Sequence, residues 1–199
     1  MRMSLESNIR AVERDLSDAA RRQVPFATSL ALNEMAEAVR DHETARLEKV
    51  LDRPTPFTRK AYAMRRSTKR RLEARVFIKT IQARYLEAQE EGGTRTPKRR
   101  ALVVPAAIRK NKYGNIARGA VKRNLAKPAV FSGTPRGGGK GPGVYQRKGK
   151  RLVKLVSYAR RARYSPRLGF KRSASRFTSQ RFPVIWEKAL RCAFASRRR

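Results

Sequence analysis

The chain has 199 residues, 40% of them hydrophobic, and carries 50 lysines and arginines against 15 aspartates and glutamates, a formal net charge of +35. That apolar share is enough for a modest core and excludes full disorder, and no apolar run approaches the roughly 18 residues of a membrane-spanning helix. The opening Met1-Arg2-Met3-Ser4-Leu5-Glu6 lacks the apolar stretch of a secretory signal and the single cysteine, Cys192, has no internal partner, so the reading is a cytoplasmic product and not a membrane protein.

Residues 5–22 place Leu5, Ile9, Val12, Leu16 and Ala19 or Ala20 three or four apart, the pattern of an amphipathic helix. A second helix is predicted to open at Pro25, because proline suits a first helical position, and to run toward Leu51 over about 40 Å. Its apolar members include Phe26, Leu30, Leu32, Met35, Val39 and Leu47. The prolines of Asp52-Arg53-Pro54-Thr55-Pro56-Phe57 stop it. Period-two alternation over 72–79 predicts a strand with one inward face, 83–91 a short helix ended by Gly92-Gly93, and 101–104 a second strand. Asn111-Lys112-Tyr113-Gly114-Asn115 reads as a turn and 117–127 as a short basic helix stopped at Pro128.

The glycine-rich stretch from Gly133 to Gly143 is expected to form no regular element, inside a flexible basic loop at 132–143. Beyond it, 144–147 and 151–156 flank Lys148-Gly149-Lys150, a hairpin signal. Residues 166–195 read as a C-terminal helix that Pro183 should kink or restart. The sum is an α+β fold: long N-terminal and C-terminal helices packed on a small, mostly antiparallel sheet. It is read as a single domain, 1–199, with helices at 5–51, a sheet region at 72–156 and the C-terminal helix at 166–195. No internal repeat is present.

Charge divides the chain unevenly. Residues 1–91 hold 19 basic and 14 acidic side chains, whereas 92–199 hold 31 basic residues and one acid, Glu187. A region so poor in acids cannot neutralise itself, and its self-repulsion opposes compaction unless a polyanion or an acidic protein surface supplies counter-charge.

Catalytic chemistry finds little material. The sole histidine, His42, has Arg46 where a zinc helix needs a second histidine, and it reads as an exposed helix residue. Cys192 has no histidine close in sequence to act as base and reads as a half-buried packing residue. Gly139-Lys140 has Thr134 where a phosphate-binding loop needs its first glycine and Gly141 where it needs a hydroxyl. The acids Glu90 and Glu91, and Glu34 with Glu37, read as solvated helix charges. The aromatics of the basic half, such as Tyr113, Tyr145, Tyr158, Tyr164, Phe170 and Phe177, fit cores better than base-stacking platforms. No catalytic, cofactor or metal site is expected. The basic loop and hairpin tip, with little apolar anchoring, make Arg136, Lys140, Arg147, Lys148, Lys150 and Arg151 the candidates for contact with DNA or a partner, through a salt-sensitive grip on phosphates.

Gln23-Val24-Pro25-Phe26-Ala27-Thr28-Ser29-Leu30-Ala31-Leu32-Asn33 resembles the N-terminal helix opening of phage tail-completion proteins of the minor tail protein Z type. Asp52-Arg53-Pro54-Thr55-Pro56-Phe57-Thr58, Ile81-Gln82-Ala83-Arg84-Tyr85-Leu86 and the C-terminal helix with Phe182-Pro183 and Arg197-Arg198-Arg199 are similar to segments of the same family. The likeness is dense over residues 23–86. It implies a structural virion protein at the head–tail junction: a ring subunit, in six copies, around the double-stranded DNA of the exit channel, joining the portal or connector to the tail. A subunit of this length has a radius of gyration of about 16 Å, and the duplex it would enclose carries roughly 24 phosphate charges. Six copies at +35 far exceed that, so portal and tail neighbours with acidic surfaces are expected as partners. Charge alone supports a second reading, a non-sequence-specific nucleic-acid-binding protein such as a ribosomal or genome-packaging component. A nuclease or nucleotide-dependent enzyme lacks the residues it needs.

Overall fold

The apolar positions that follow Pro25 do organise a helix, and a longer one than the proline suggests. The computed structural model describes residues 2–4, 18–97, 100–136 and 140–196. They group into two compact units, where the sequence reading treats 1–199 as one domain: residues up to Glu90 together with those from Arg167 onward, and Glu91–Pro166. Helices and antiparallel strands are both prominent, so the protein is α+β.

In the first unit, α1 (Asp18–Val50) is a continuous helix of 33 residues with Pro25 inside it. This corrects the expectation that Pro25 opens the helix; residues 5–17 of the other predicted helix lie outside the described residues. An interior proline costs about 3 kcal/mol through its missing donor and its clash with the preceding turn. Burial on its C-terminal side opposes that cost: Ala27, Ala31, Leu32, Met35 and Val39 are all at most 2% exposed. The Thr28 hydroxyl donates to the Val24 carbonyl at 2.8 Å within the same turns. After the predicted stop, Thr55 caps a one-turn helix, α2 (Pro56–Arg59), by accepting from the Thr58 N–H, with Pro56 at its start.

β1 (Arg2–Ser4), β2 (Tyr62–Arg65) and β3 (Arg75–Ile78) form an antiparallel sheet in the order β1-β3-β2. Only 75–78 of the predicted 72–79 strand pairs, and β1 and β2 were not expected. α3 (Thr80–Glu91) follows and ends at Gly92, whose φ of +74° is one that a glycine adopts without strain.

Two units also mean more than one sheet. In the second, β4 (Gly93–Arg95) pairs antiparallel with β9 (Ala162–Tyr164). A separate antiparallel sheet runs β5 (Leu102–Pro105), β8 (Arg151–Ala159), β7 (Gly143–Lys148), β6 (Val130–Gly133), joined between β5 and β6 by the one-turn-plus helix α4 (Ala120–Leu125). The predicted Asn111 turn is present: its side chain accepts from the N–H groups of Tyr113 and Asn115, both at 3.0 Å. Gly133 pairs with Gly143, so the stretch read as irregular begins and ends in strands, a correction to that reading; residues 137–139 lie outside the described residues. The core here is small, built on Ile108, Val130, Val144, Leu155 and Val156.

The first unit closes with α5 (Phe170–Ala195), which does not restart at Pro183. Phe182 and Ile185 pack on the core to either side of the proline, and Ala174, Ala189 and Ala193 are buried before and after it, so tertiary burial again holds the helix together. α5 packs along α1, and with β2, β3 and α3 the pair encloses a core of Met35, Val39, Leu47, Tyr62, Leu86 and Phe170. Asn33 ties the chain before β3 to α1: its carbonyl accepts from the Ser67 N–H at 2.8 Å and its amide donates to the Ser67 carbonyl at 3.3 Å.

Candidate polyanion-binding surface

The second unit has 21 lysines and arginines and a single acid, Glu91. Every described basic side chain in it is exposed except that of Lys154, and among the described residues none forms an ion pair. The charge is therefore carried outward without internal compensation.

The β6–β7–β8 ladder decides where it goes. Residues facing each other across an antiparallel ladder share a face, and neighbours along a strand take opposite faces. Val144, paired with Val156, and Val130, paired with Gln146, define the face that meets the small core; a register shift between Val144 and Tyr145 breaks the alternation on β8, so that Leu155 and Val156 both join that core. Tyr145, paired with Lys154 and with Phe131, defines the other. On that second face the rings of Phe131 and Tyr145 stack at 5.9 Å, the Arg147 guanidinium lies 5.3 Å from the Phe131 ring and the Lys154 ammonium 5.4 Å from the Tyr145 ring. These cation–π contacts fix the direction of two charges that would otherwise wander. Tyr145 is fully buried and donates its hydroxyl proton to the Gly141 carbonyl, which fastens the chain after Lys140 to the sheet.

The six residues singled out from sequence are all exposed, and they fall into two groups. Arg147, Lys148, Lys150 and Arg151 surround the β7–β8 turn, where Lys148 stands directly across from Arg151 and Gly149 takes a φ of +56° in the two-residue loop. Arg136 and Lys140 lie at the other end of β7. Six residues of strand span about 20 Å, more than twice the roughly 8 Å screening length at physiological salt, so the two groups act as separate electrostatic sites. The pleat divides the first group further: Arg147 shares the Tyr145 face, Lys148 and Arg151 the Val144 face. Sequence reasoning missed Lys154 and Phe131. Their signal is the alternation that sets Tyr145 and Arg147 two residues apart, read together with the hairpin register that brings Lys154 opposite Tyr145.

Other sequence readings need correction. His42 is half-buried, not exposed: its ring stacks on Phe177 at 4.2 Å and its Nε2 lies 3.3 Å from the Ser173 hydroxyl, contacts that come from α5, 131 residues away in sequence. Cys192 is exposed rather than half-buried, because Ala189 and Ala193 occupy the inward positions of its helical turn. Among the aromatics, Tyr145 and Phe170 are buried and Tyr113, Tyr158, Tyr164 and Phe177 half-buried. Among the described residues no group of histidine, cysteine and carboxylate side chains could hold a metal ion, and no helix is long and apolar enough to cross a membrane. No family model matches the chain, and no curated protein or solved structure matches it.

Proposed function

We propose that this chain is a structural, non-enzymatic virion protein of the phage head–tail junction, a ring subunit whose basic second unit meets DNA and acidic neighbouring proteins. The observation that carries the reading is the uncompensated outward charge of that unit: 21 basic residues, one acid, and no ion pair among the described residues. A surface of that kind is stable beside fixed anions and is strained by self-repulsion without them. The resemblance over residues 23–86 supplies the setting, and in this protein that stretch forms the long α1 and the elements packed on it, a scaffold with its own core.

The competing reading, a monomeric nucleic-acid-binding protein such as a ribosomal or packaging component, draws on the same charge. Size-exclusion chromatography with light scattering, combined with a salt titration of duplex DNA binding, separates the two. A closed oligomer with weak duplex affinity is the expected result. A monomer that binds duplex tightly, with affinity falling steeply as salt rises, overturns the proposal in favour of the second reading.

A further inference from the structure

The first unit holds a pocket of about 490 Å³, lined from α1 by His42 and Arg46 and from the start of α5 by Arg172, Ser173, Arg176 and Phe177. Its volume is that of a small-ligand site. The lining follows from helical spacing: His42 and Arg46 are one turn apart, and Arg172, Arg176 and Gln180 recur every four residues on one face of α5.

Arg46 is held from behind. Its Nε donates to Glu43 Oε2 at 3.2 Å, and Glu43, only 1% exposed, occupies a buried position of α1 between Val39 and Leu47. The contact fixes the guanidinium at its inner edge and leaves its outer end to the pocket. Arg46 Nη2 and Arg172 Nη2 lie 3.7 and 4.0 Å from the point where a side chain on Gly169 would begin, so the two cations converge on one spot. No ion pair among the described residues engages Arg172 or Arg176. The stacked rings of His42 and Phe177 add a flat wall.

Negative groups offset part of this charge. Glu43 neutralises Arg46, with its unpartnered Oε1 3.7 Å from His42 Nε2, and Glu90 accepts from the Phe170 N–H at 2.8 Å at the start of α5. Among the described residues Arg172 and Arg176 have no counter-ion. Clustered guanidinium forks around a concave, ligand-sized space match the oxygen geometry of a phosphate group and its double charge.

We propose that this pocket binds a phosphate group, presented either by a small free phosphate or by a nucleic-acid backbone. The inference rests on the first unit alone and is independent of the reading given for the second.

The test is calorimetric titration of the full chain with inorganic phosphate in chloride buffer, repeated with a short DNA duplex. The wild type should bind phosphate saturably, one per chain. Replacing both Arg172→Ala and Arg176→Ala should weaken phosphate binding about tenfold or more. A control with Lys171→Ala and Arg181→Ala removes the same charge outside the pocket and should change it less than about twofold. If the alanine variant does not fold, Arg172→Gln with Arg176→Gln makes the same comparison. A backbone phosphate is the source if the pocket variant also weakens duplex binding more than the control does, and a free phosphate if the two variants weaken duplex binding equally. Absence of saturable phosphate binding, or equal loss of it in pocket and control variants, overturns the proposal.

Discussion

Each unit sets one pair of like charges face to face across neighbouring strands: Arg65 opposite Arg75 in the first, Lys148 opposite Arg151 in the second. Such pairs destabilise a sheet. In the first unit Glu73 removes the conflict, because its carboxylate binds Arg75 and also Arg71, the latter at 2.7 Å. In the second unit no carboxylate among the described residues reaches either partner. The contrast extends to composition: the first unit has 14 acids, among them Glu34, Glu43 and Glu48, to set against its 29 basic residues, while the second has only Glu91 against 21. The first unit thus offsets part of its charge with its own acids, whereas the second has almost none with which to do so.

The first unit accordingly depends most on burial. Phe170→Ala should cost it about 3–5 kcal/mol, because Phe170 is fully buried and stacks on Tyr62 at 5.4 Å. Trp186, the only tryptophan, lies in this unit and reports its urea unfolding by fluorescence. A near-neutral result would mean that burial is not what holds α5 in place. The second unit, with its smaller core, is most vulnerable in its backbone. A Cβ at Gly143 would stand 2.2 Å from the Val156 carbonyl oxygen, beside the irregular register at Val144 and Tyr145. Gly143→Ala should therefore push β7 from β8 and cost about 1–3 kcal/mol, seen as faster amide exchange in those strands. A third variant improves the first unit: Thr178 has a buried hydroxyl with no partner among the described residues, facing a void of about 20 Å³ with otherwise apolar walls. Thr178→Val keeps the shape, removes the unsatisfied group and should stabilise by about 1 kcal/mol.

Local chemistry made some elements readable in advance. The β7–β8 hairpin showed itself because Gly149 sits between two alternating runs, and the Asn111 turn because an asparagine side chain can bond the N–H groups that follow it. Long-range packing hid the others. Ala61-Tyr62-Ala63-Met64 has no alternation strong enough to mark β2; its strand exists because β3 pairs with it and Tyr62 finds Phe170, more than 100 residues away. Pro25 and Pro183 carry strong local signals that burial of their neighbours overrides. The candidate surface was legible as composition, since all six chosen side chains are exposed, but not as geometry. Only the ladder register shows that they form two groups and that Arg147 faces away from Lys148. The Arg46–Arg172–Arg176 pocket was illegible, because its residues come from helices joined only through the fold.

The smallest expected effects test the charge contrast itself. Lys148→Glu replaces a like pair by an opposite one and should stabilise the hairpin by about 0.2–1 kcal/mol, while the salt dependence of duplex binding, plotted as log K against log salt, should become shallower by about 0.9 if Lys148 meets one phosphate. Gain in stability with loss of grip is what a surface kept basic for a partner should show. Glu73→Gln is the counterpart. Arg75, and then Arg71, hold the Glu73 carboxyl below the usual carboxylate range. The folded state thus binds its proton less readily than the unfolded chain, so the contribution is present above the unfolded pKa of about 4.3 and is lost as pH falls through the lowered folded value. The glutamine variant should flatten the acid limb of the first unit's melting temperature against pH. Added salt then acts with opposite signs, screening the Glu73 attraction around β3 and relieving the Lys148–Arg151 repulsion in the hairpin. Amide exchange in β2–β3 should quicken, and in β7–β8 slow, as chloride rises from about 0.05 to 0.5 M. A parallel response in both would mean that the second unit's charge is already balanced within the chain.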